Sequence, residues 1–451
     1  MPRRTPNRAL AAVLAEARWS AGELARAVNA EGARSGIELH YDRTAVAHWL
    51  QGSRPRAPVP DLVARVLGNR TRRPLRPGDL GLTQLAQELL PGPPGDADAV
   101  GHLVALCRDD ADPVRRGALA RAVYTLTSGE TMLWRATGSA VPPSPRGARP
   151  AGASDVIALQ EMVRVFALLT WSHGGAHARS ALACYLSDDV GRLLHAPAPA
   201  VLRPQLFTLA AELTHLLAAM TADAGHHGLA QHYFHTALLL AREADDRANF
   251  AITLRAMSVQ ALTLGRRRHA ADLAQAAADA LAPTDHPAAC SYVLAQRALT
   301  HATQQHVRGA EADLAAAERW HDQAGGPPGP FTAYPRAALD YQRAEALFAL
   351  GRTGPALRAF EDSLRSRGAG QRKAHALTEA RVAETTLALG HLDAACAHWH
   401  TFLDQYPALR SDQADQALAR MRSSLASFPR HALAQAVRER SRAVVGPSAA
   451  P

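Results

Sequence analysis

The chain has 451 residues, of which 47% are hydrophobic and 20% charged, a balance typical of folded globular proteins with room for two or three domains. No run of 18 apolar residues and no signal-peptide pattern occurs, so we expect a cytoplasmic protein and exclude a membrane-spanning one. The net charge of +9 is uneven: residues 1–82, which we call the head, contain 14 arginines against 7 acidic residues and carry +7 of it. A basic head on a nearly neutral remainder is expected for nucleic-acid binding, although a solvated basic face is the simpler alternative.

Two amphipathic helices are predicted at the start of the head. Asn7 to Arg18 places its apolar residues at helical spacing. The second helix starts at Ser20, which is followed three residues later by Glu23. In this capping-box arrangement each of the two side chains satisfies a free amide at the helix start.

A third predicted helix runs from Tyr41 to Gly52, with Asp42 as its N-cap and the glycine as its stop. Its packing side consists of Ala45, Val46, Trp49 and Leu50. The opposite side forms one contiguous strip made of Arg43, Thr44, Ala47, His48 and Gln51. Those side chains are of the types that read base edges in a major groove, and Arg54 and Arg56 follow where flanking phosphates would lie.

"WSAGELARAV" and "TAVAHWLQGSRP" together resemble the helix-turn-helix of the phage-repressor-like (Xre/Cro) regulators. The resemblance implies that Ser20 caps a positioning helix near a phosphate and that Asp42 to Gln51 is the recognition helix. The segment from Ala30 to Tyr41 departs from that family, because it is much longer than the usual turn of three or four residues. Alternating apolar residues within it leave open a short strand in a hairpin or wing, or a continued second helix. The same exposed face is also compatible with contact to a protein partner.

Pro58 to Gly68 is predicted as a fourth helix. Proline- and glycine-rich stretches at Pro91 to Asp98 and at Ser139 to Ser154 then indicate two boundaries. Ala99 to Gly138, between them, has the pattern of one or two helices. Residues 83–154 are therefore predicted to be a linker with short helices.

From residue 155 to residue 440, a segment we call the array, a helical pattern recurs. It aligns on five turn residues spaced 40, 40, 46 and 39 apart: Gly225, Gly265, Gln305, Gly351 and Gly390. An alanine follows each of them by five positions, and small or apolar residues follow by nine and by twelve. The pattern resembles the tetratricopeptide repeat with a longer period, and the loop from Gln323 to Pro335 accounts for the long interval. We expect an atypical leading pair at Asp155 to Leu194, a closing helix at Ser411 to Arg440 and a disordered tail at 441–451.

Stacked helix pairs of this kind imply a concave surface that binds a peptide, another protein or a second copy of the chain. Catalytic and phosphate-binding motifs are absent, so we predict neither an enzyme nor a cofactor. His232 and His235 lie three apart in a histidine-rich stretch, but no carboxylate or cysteine completes a site, and we predict no metal. The cysteines lie far apart and are expected to be buried thiols: Cys107, Cys184, Cys290 and Cys396.

The chain is rich in alanine, glycine, proline and arginine and contains one lysine, a composition that resembles high-GC actinobacterial proteins. The whole arrangement resembles streptomycete regulators of differentiation and antibiotic production, and more distantly the peptide-sensing regulators of Gram-positive bacteria. We therefore predict an all-α protein, a helix-turn-helix bundle followed by a tetratricopeptide-like α-solenoid. Its expected function is transcriptional regulation as a homodimer on double-stranded DNA at the nucleoid. The alternative is a protein-interaction adaptor that acts through its array without binding DNA.

Overall fold

The computed structural model describes residues 6–34, 37–56, 58–71, 75, 77–82, 98–135, 149–282, 286–325, 331, 334–368 and 370–444. Within these residues all regular structure is helical, which confirms the predicted all-α class. The described residues divide into two compact units. One contains residues 6–82 with Asp109–Ala122, and the other contains residues 98–108 with those from Val123 onward.

The described part of the head contains four helices: α1 (Arg8–Glu16), α2 (Ala21–Arg34), α3 (Arg43–Leu50) and α4 (Val59–Thr71). They share one core, whose most buried members include Leu10, Leu24, Val46, Val63 and Leu67. All four predicted helices are confirmed, and most of their ends differ from the prediction by a few residues. Helix α2 is the exception, because it continues to Arg34. Residues 37–42 contain no strand, so the continued second helix was the correct alternative and the strand was wrong.

Within residues 98–135, the described part of the predicted Ala99 to Gly138 segment, three helices occur where one or two were predicted: α5 (Ala99–Ala111), α6 (Pro113–Leu119) and α7 (Gly129–Met132). Residues 91–97, in the first predicted boundary, and residues 139–148, in the second, lie outside the described residues. Ser154, the last residue assigned to the second boundary, already lies in helix α8 (Ala153–His173).

The predicted leading pair is one long helix, α8, and a divided second helix. The second helix consists of α9 (Arg179–Tyr185), a π-helical turn (Leu186–Val190) and α10 (Gly191–His195). Five packed pairs follow, formed by α11 (Arg203–Asp223) and α12 (His227–Glu243), α13 (Arg247–Thr263) and α14 (Arg267–Leu281), α15 (Pro287–Thr303) and α16 (Val307–Gln323), α17 (Arg336–Ala349) and α18 (Thr353–Arg365), and α19 (Arg372–Ala388) and α20 (Leu392–Gln405). Of the Gln323 to Pro335 loop, residues 326–330, 332 and 333 lie outside the described residues.

The repeat alignment is confirmed by backbone geometry. All five aligned turn residues have a positive φ, between 61° at Gln305 and 89° at Gly390, which is the left-handed conformation that reverses the chain between paired helices. The alanine five positions after each turn is fully buried, because at that point the two helices of a pair approach closely. The solenoid-like stacking of helix pairs was therefore predictable from the sequence.

One prediction at the end of the chain was wrong, and another is contradicted only over its first residues. The single closing helix is two helices, α21 (Asp412–Leu425) and α22 (Ala432–Ala443), because Pro429 lacks the backbone N–H that a continuous helix needs. Helix α22 also enters the tail predicted to be disordered, and residues 445–451 lie outside the described residues.

The array curves until its last pairs meet its leading helix. Helix α8 packs against both α11 and α19. The Arg410 N–H donates to the His173 carbonyl at 2.7 Å, and the Ala176 N–H donates to the Arg410 carbonyl at 3.1 Å. These bonds join the two ends of the array, so the expected concave surface lines a cavity that is partly open to solvent. Among the described helices, none is long and apolar enough to cross a membrane.

Candidate nucleic-acid interface

Local capping fixes the limits of α3. The Asp42 carboxylate accepts a hydrogen bond from the Ala45 N–H at 2.9 Å, and this bond is the main cause that lowers the pKa of Asp42. At the other end Gly52 has a φ of 95°, and its N–H donates to the Trp49 carbonyl at 3.0 Å. Both end signals are those predicted from the sequence.

The two sides of α3 have the predicted burial. Val46 and Trp49 lie in the head core, and the Tyr41 ring meets the Trp49 ring edge-on with centroids 5.1 Å apart. On the opposite side the polar members of the predicted reading strip are exposed and its alanine is half-buried: Arg43, Thr44, His48, Gln51 and Ala47. One helix face therefore presents all five side chains together.

Asn29 anchors the start of α3. Its side-chain amide donates to the Tyr41 carbonyl at 2.8 Å, and its side-chain oxygen accepts from the Tyr41 N–H at 2.9 Å. The connection is also held to the end of α2, where the Ile37 N–H donates to the Gly32 carbonyl at 2.8 Å. A Cβ at Gly32 would lie 2.9 Å from the Ile37 carbonyl oxygen, a backbone atom that could not move without shifting this connection, so the path favours glycine. The connection between α2 and α3 is thus fixed to α2 one residue before the N-cap of α3.

Asn7 anchors the end of α3. Its N–H donates to the Leu50 carbonyl at 2.8 Å, while its side-chain oxygen caps α1 by accepting from the Leu10 N–H at 3.0 Å. The Asn7 amide also donates to the Leu80 carbonyl at 2.9 Å. The sequence showed Asn7 only as a helix start, and neither asparagine was predicted to position α3.

Ion pairs neutralise some head arginines and leave others available. Arg34 and Arg65 both pair with the buried carboxylate of Glu31, at 2.6 and 3.1 Å, and the Arg65 hydrogen bond is the main cause that lowers the pKa of Glu31. Arg43, Arg54 and Arg56 are exposed, and no carboxylate among the described residues pairs with them. Unpaired cations therefore lie on α3 and on the segment that follows it.

Ser20 lies on a different element, at the start of α2. Its hydroxyl donates to the Glu23 carboxylate at 2.7 Å and accepts from the Glu23 N–H at 3.3 Å, so the predicted capping box is present. The hydroxyl proton is already used within the head, and a carboxylate lies beside it. A phosphate would therefore find less to bind at Ser20 than at the three exposed arginines.

The histidine-rich stretch of the array has a structural role. His235 lies 3.4 Å from the Thr127 hydroxyl, in a segment that Gln231 also holds by accepting from the Thr125 N–H at 3.0 Å. Burial lowers the pKa of both His232 and His235 to about 4. No group of three or more metal-binding side chains occurs among the described residues.

The cysteine prediction was right for three of four residues. Cys107, Cys290 and Cys396 are buried, whereas Cys184 is exposed because it lies on the outer side of the short helix α9.

A family model described as the SP15 N-terminal domain matches residues 10–83 of the chain. The matched segment runs from α1 to the end of the head. No curated protein matches the chain.

Proposed function

We propose that the chain is a DNA-binding transcriptional regulator whose helix α3 enters the major groove of double-stranded DNA. The supporting observation is a short helix held at both ends by Asn29 and Asn7, with its polar face uncovered. A fixed helix with an accessible face can present hydrogen-bonding groups to base edges at defined positions.

The chemistry of the exposed face assigns a role to each side chain. Arg43 suits guanine, Gln51 suits adenine and the Ala47 methyl suits the thymine methyl group, while Thr44 and His48 offer further hydrogen bonds. Arg54 and Arg56, which have no partner among the described residues, contact phosphates and set the position of the head on the duplex.

The regulator acts as a homodimer at the nucleoid, on genes of development or secondary metabolism, as do the regulators it resembles. In a two-fold dimer the half-sites lie about 34 Å apart or a multiple of that distance. The array controls the spacing of the two heads or responds to a bound partner.

Titration of the full chain against fluorescent fragments of its own genome, at 50 and 200 mM salt, tests the proposal. We expect binding that weakens as salt rises, because phosphate contacts release counterions. Arg43→Ala with Gln51→Ala should reduce the preference for the best fragment at least tenfold. The matched control, Arg319→Ala with Gln323→Ala, changes the same residue types at exposed positions of α16 and should bind like the unmodified chain.

Absence of salt-dependent binding would contradict the proposal, as would equal preference in the two double variants. A chain that binds no DNA yet retains protein partners would instead support the adaptor hypothesis.

A further inference from the structure

The inner side of the array contains a cavity of about 730 Å³ and an adjoining one of about 220 Å³. The two share Trp171, Tyr292, Tyr334, Ala338, Arg367 and Ala374 as lining residues. Most of the walls come from α8 and from the first helices of successive pairs, so the closure of the array forms the space. Together the cavities have the size of a site for a small molecule.

Aromatic rings line the part that the two cavities share. The Tyr292 and Tyr334 rings meet edge-on with centroids 4.8 Å apart. Trp171 is 41% exposed, although large aromatic side chains are usually well covered. The shared wall therefore offers flat apolar surface to a ligand.

Most cations of the larger cavity have a carboxylate partner. Lys373 pairs with Asp223 at 2.7 Å. Arg381 binds Glu345 at 2.7 Å and also pairs with Glu384, which accepts from Arg420 at 2.9 Å. The positive charges of these three side chains are therefore balanced by carboxylates of the protein.

Arg255 and Arg367 have only neutral partners among the described residues. Arg255 donates to the Tyr292 hydroxyl at 2.8 Å, and its guanidinium lies 3.7 Å from the centre of that ring. Arg367 donates to the Ser363 hydroxyl at 3.0 Å. The Nε atom of each arginine is buried and has no hydrogen-bond partner.

Buried donors without acceptors are rare and unfavourable, and a buried charge normally has a partner. Burial also lowers the pKa of Arg367, because removal from water disfavours the charged form of the side chain. Arg255, Arg367 and Tyr334 all line the larger cavity. Burial raises the pKa of the Tyr334 hydroxyl, and the positive charges of both arginines act to lower it, which is the smaller effect. An anion placed in the cavity would supply the negative charge that these two arginines do not find within the protein.

We propose that this cavity binds a small organic anion, whose charged group pairs with Arg255 and Arg367 and whose flat apolar body lies against Trp171, Tyr292 and Tyr334. The inference does not rest on the DNA-binding proposal, because none of these residues belongs to the head.

Two fluorescent probes of similar shape test the proposal with the full chain. 8-Anilino-1-naphthalenesulfonate carries a negative charge, and N-phenyl-1-naphthylamine has the same ring system without it. We expect the anionic probe to bind at one site per chain and at least tenfold more tightly than the neutral one, since hydrogen bonds to charged groups are the stronger ones. Equal affinity for the two probes would overturn the proposal.

Arg255→Gln and Arg367→Gln, each tested separately, should weaken binding of the anionic probe about tenfold and leave the neutral probe within twofold. Arg319→Gln, an exposed position on α16, serves as the matched control and should change neither affinity. Thermal unfolding checks that each variant folds. If one of the two variants does not fold, the affinities of the other provide the test. Unchanged affinity for the anionic probe in a folded variant, or equal loss of both probes, would overturn the assignment.

Competition identifies the class of anion. Displacement of the sulfonate probe by 2-naphthoate indicates a carboxylate ligand, and displacement by 1-naphthyl phosphate indicates a phosphate ester. Failure of both to displace it would contradict an anion site. The Arg43→Ala, Gln51→Ala double variant should bind the probe normally, which separates this result from the fate of the DNA-binding proposal.

Discussion

Lys373 is the only lysine of the chain, and its ion pair helps to close the array. The Asp223 carboxylate, which is 4% exposed, accepts from the Gly175 N–H, the Ser411 hydroxyl and the Lys373 ammonium, each at 2.7 Å. These four residues come from the end of α11, the turn after α8, the start of α19 and the residue before α21. Lys373→Met therefore tests whether this junction stabilises the closed array.

The expected cost follows from burial. Methionine keeps most of the apolar stem but removes the ammonium, which leaves a buried carboxylate with two neutral donors. Removing one partner of a buried ion pair typically costs about 3–5 kcal/mol. We take the lower end, about 3 kcal/mol, because the Gly175 and Ser411 bonds remain.

Urea unfolding followed by circular dichroism measures the loss of stability of the full chain. Hydrogen exchange at residues 172–176 and 410–412 reports on the junction itself, where protection should fall before the rest of the array opens. Arg352→Met is the matched control, because Arg352 also joins two helix pairs through a 2.6 Å bond to Glu311, but both side chains are about half exposed. That exposed pair should contribute less than about 1 kcal/mol.

Equal effects of Lys373→Met and Arg352→Met would refute the reasoning. So would strict additivity of Asp223→Asn and Lys373→Met. In the Lys373→Met background, Asp223→Asn should restore part of the lost stability, because it removes a buried negative charge that no longer has a cationic partner.

Three further outcomes follow from the structure. Asn29→Ala removes two hydrogen bonds to the Tyr41 backbone, and we expect it to destabilise the head by about 2 kcal/mol and to lower DNA affinity, measured by hydrogen exchange over 37–46 and by the DNA titration. Burial lowers the pKa of His215 to about 3, against an ordinary 6.5, so between these pH values the unfolded chain binds one more proton than the folded chain. The free energy of unfolding should therefore fall by about 1.4 kcal/mol per pH unit on acidification, and His215→Asn should remove that contribution in urea titrations at pH 6 and 5. If Arg54 and Arg56 both contact phosphates, replacing both with alanine should reduce the slope of log K against log salt by about 2 in the same DNA titration.

The helix pairs were predictable because their signals are local. A turn residue, an alanine five positions later and an apolar stripe all act within one pair of helices. Gln305 shows the limit of this rule, since it adopts a φ of 61° without being glycine. Its side chain donates to the Ala349 carbonyl at 2.9 Å, at the end of the next pair's first helix, and this contact offsets the cost of the left-handed backbone. A bond to the next pair cannot be seen from residues near the turn.

In the head, too, some features follow from residues close together in the sequence, whereas others depend on contacts between distant residues. The capping of α3 and its division into packing and exposed sides follow from residues within one helix. Its attachment depends on the Asn29 side chain, which bonds to the Tyr41 backbone, and on the backbone N–H of Asn7, which donates to the Leu50 carbonyl. Asparagines are common in turns and loops and give no comparable pattern. The sequence therefore predicted which face α3 exposes, whereas the structure was needed to show that the helix is held in place.

The proposed anion site could not be predicted from the net charge of the array. Residues after 82 carry only +2 in total, so the sequence gives no reason to expect an anion site there. The structure shows which charges meet: Lys373, Arg381 and Arg420 find carboxylates, while Arg255 and Arg367 face the cavity with neutral partners. A nearly balanced total is compatible with local imbalance, because distant acidic residues cannot compensate the charge of a half-buried arginine. Closure of the array brings together Arg255 on α13 and Arg367 beyond α18, and this juxtaposition is the physical basis of the proposed site.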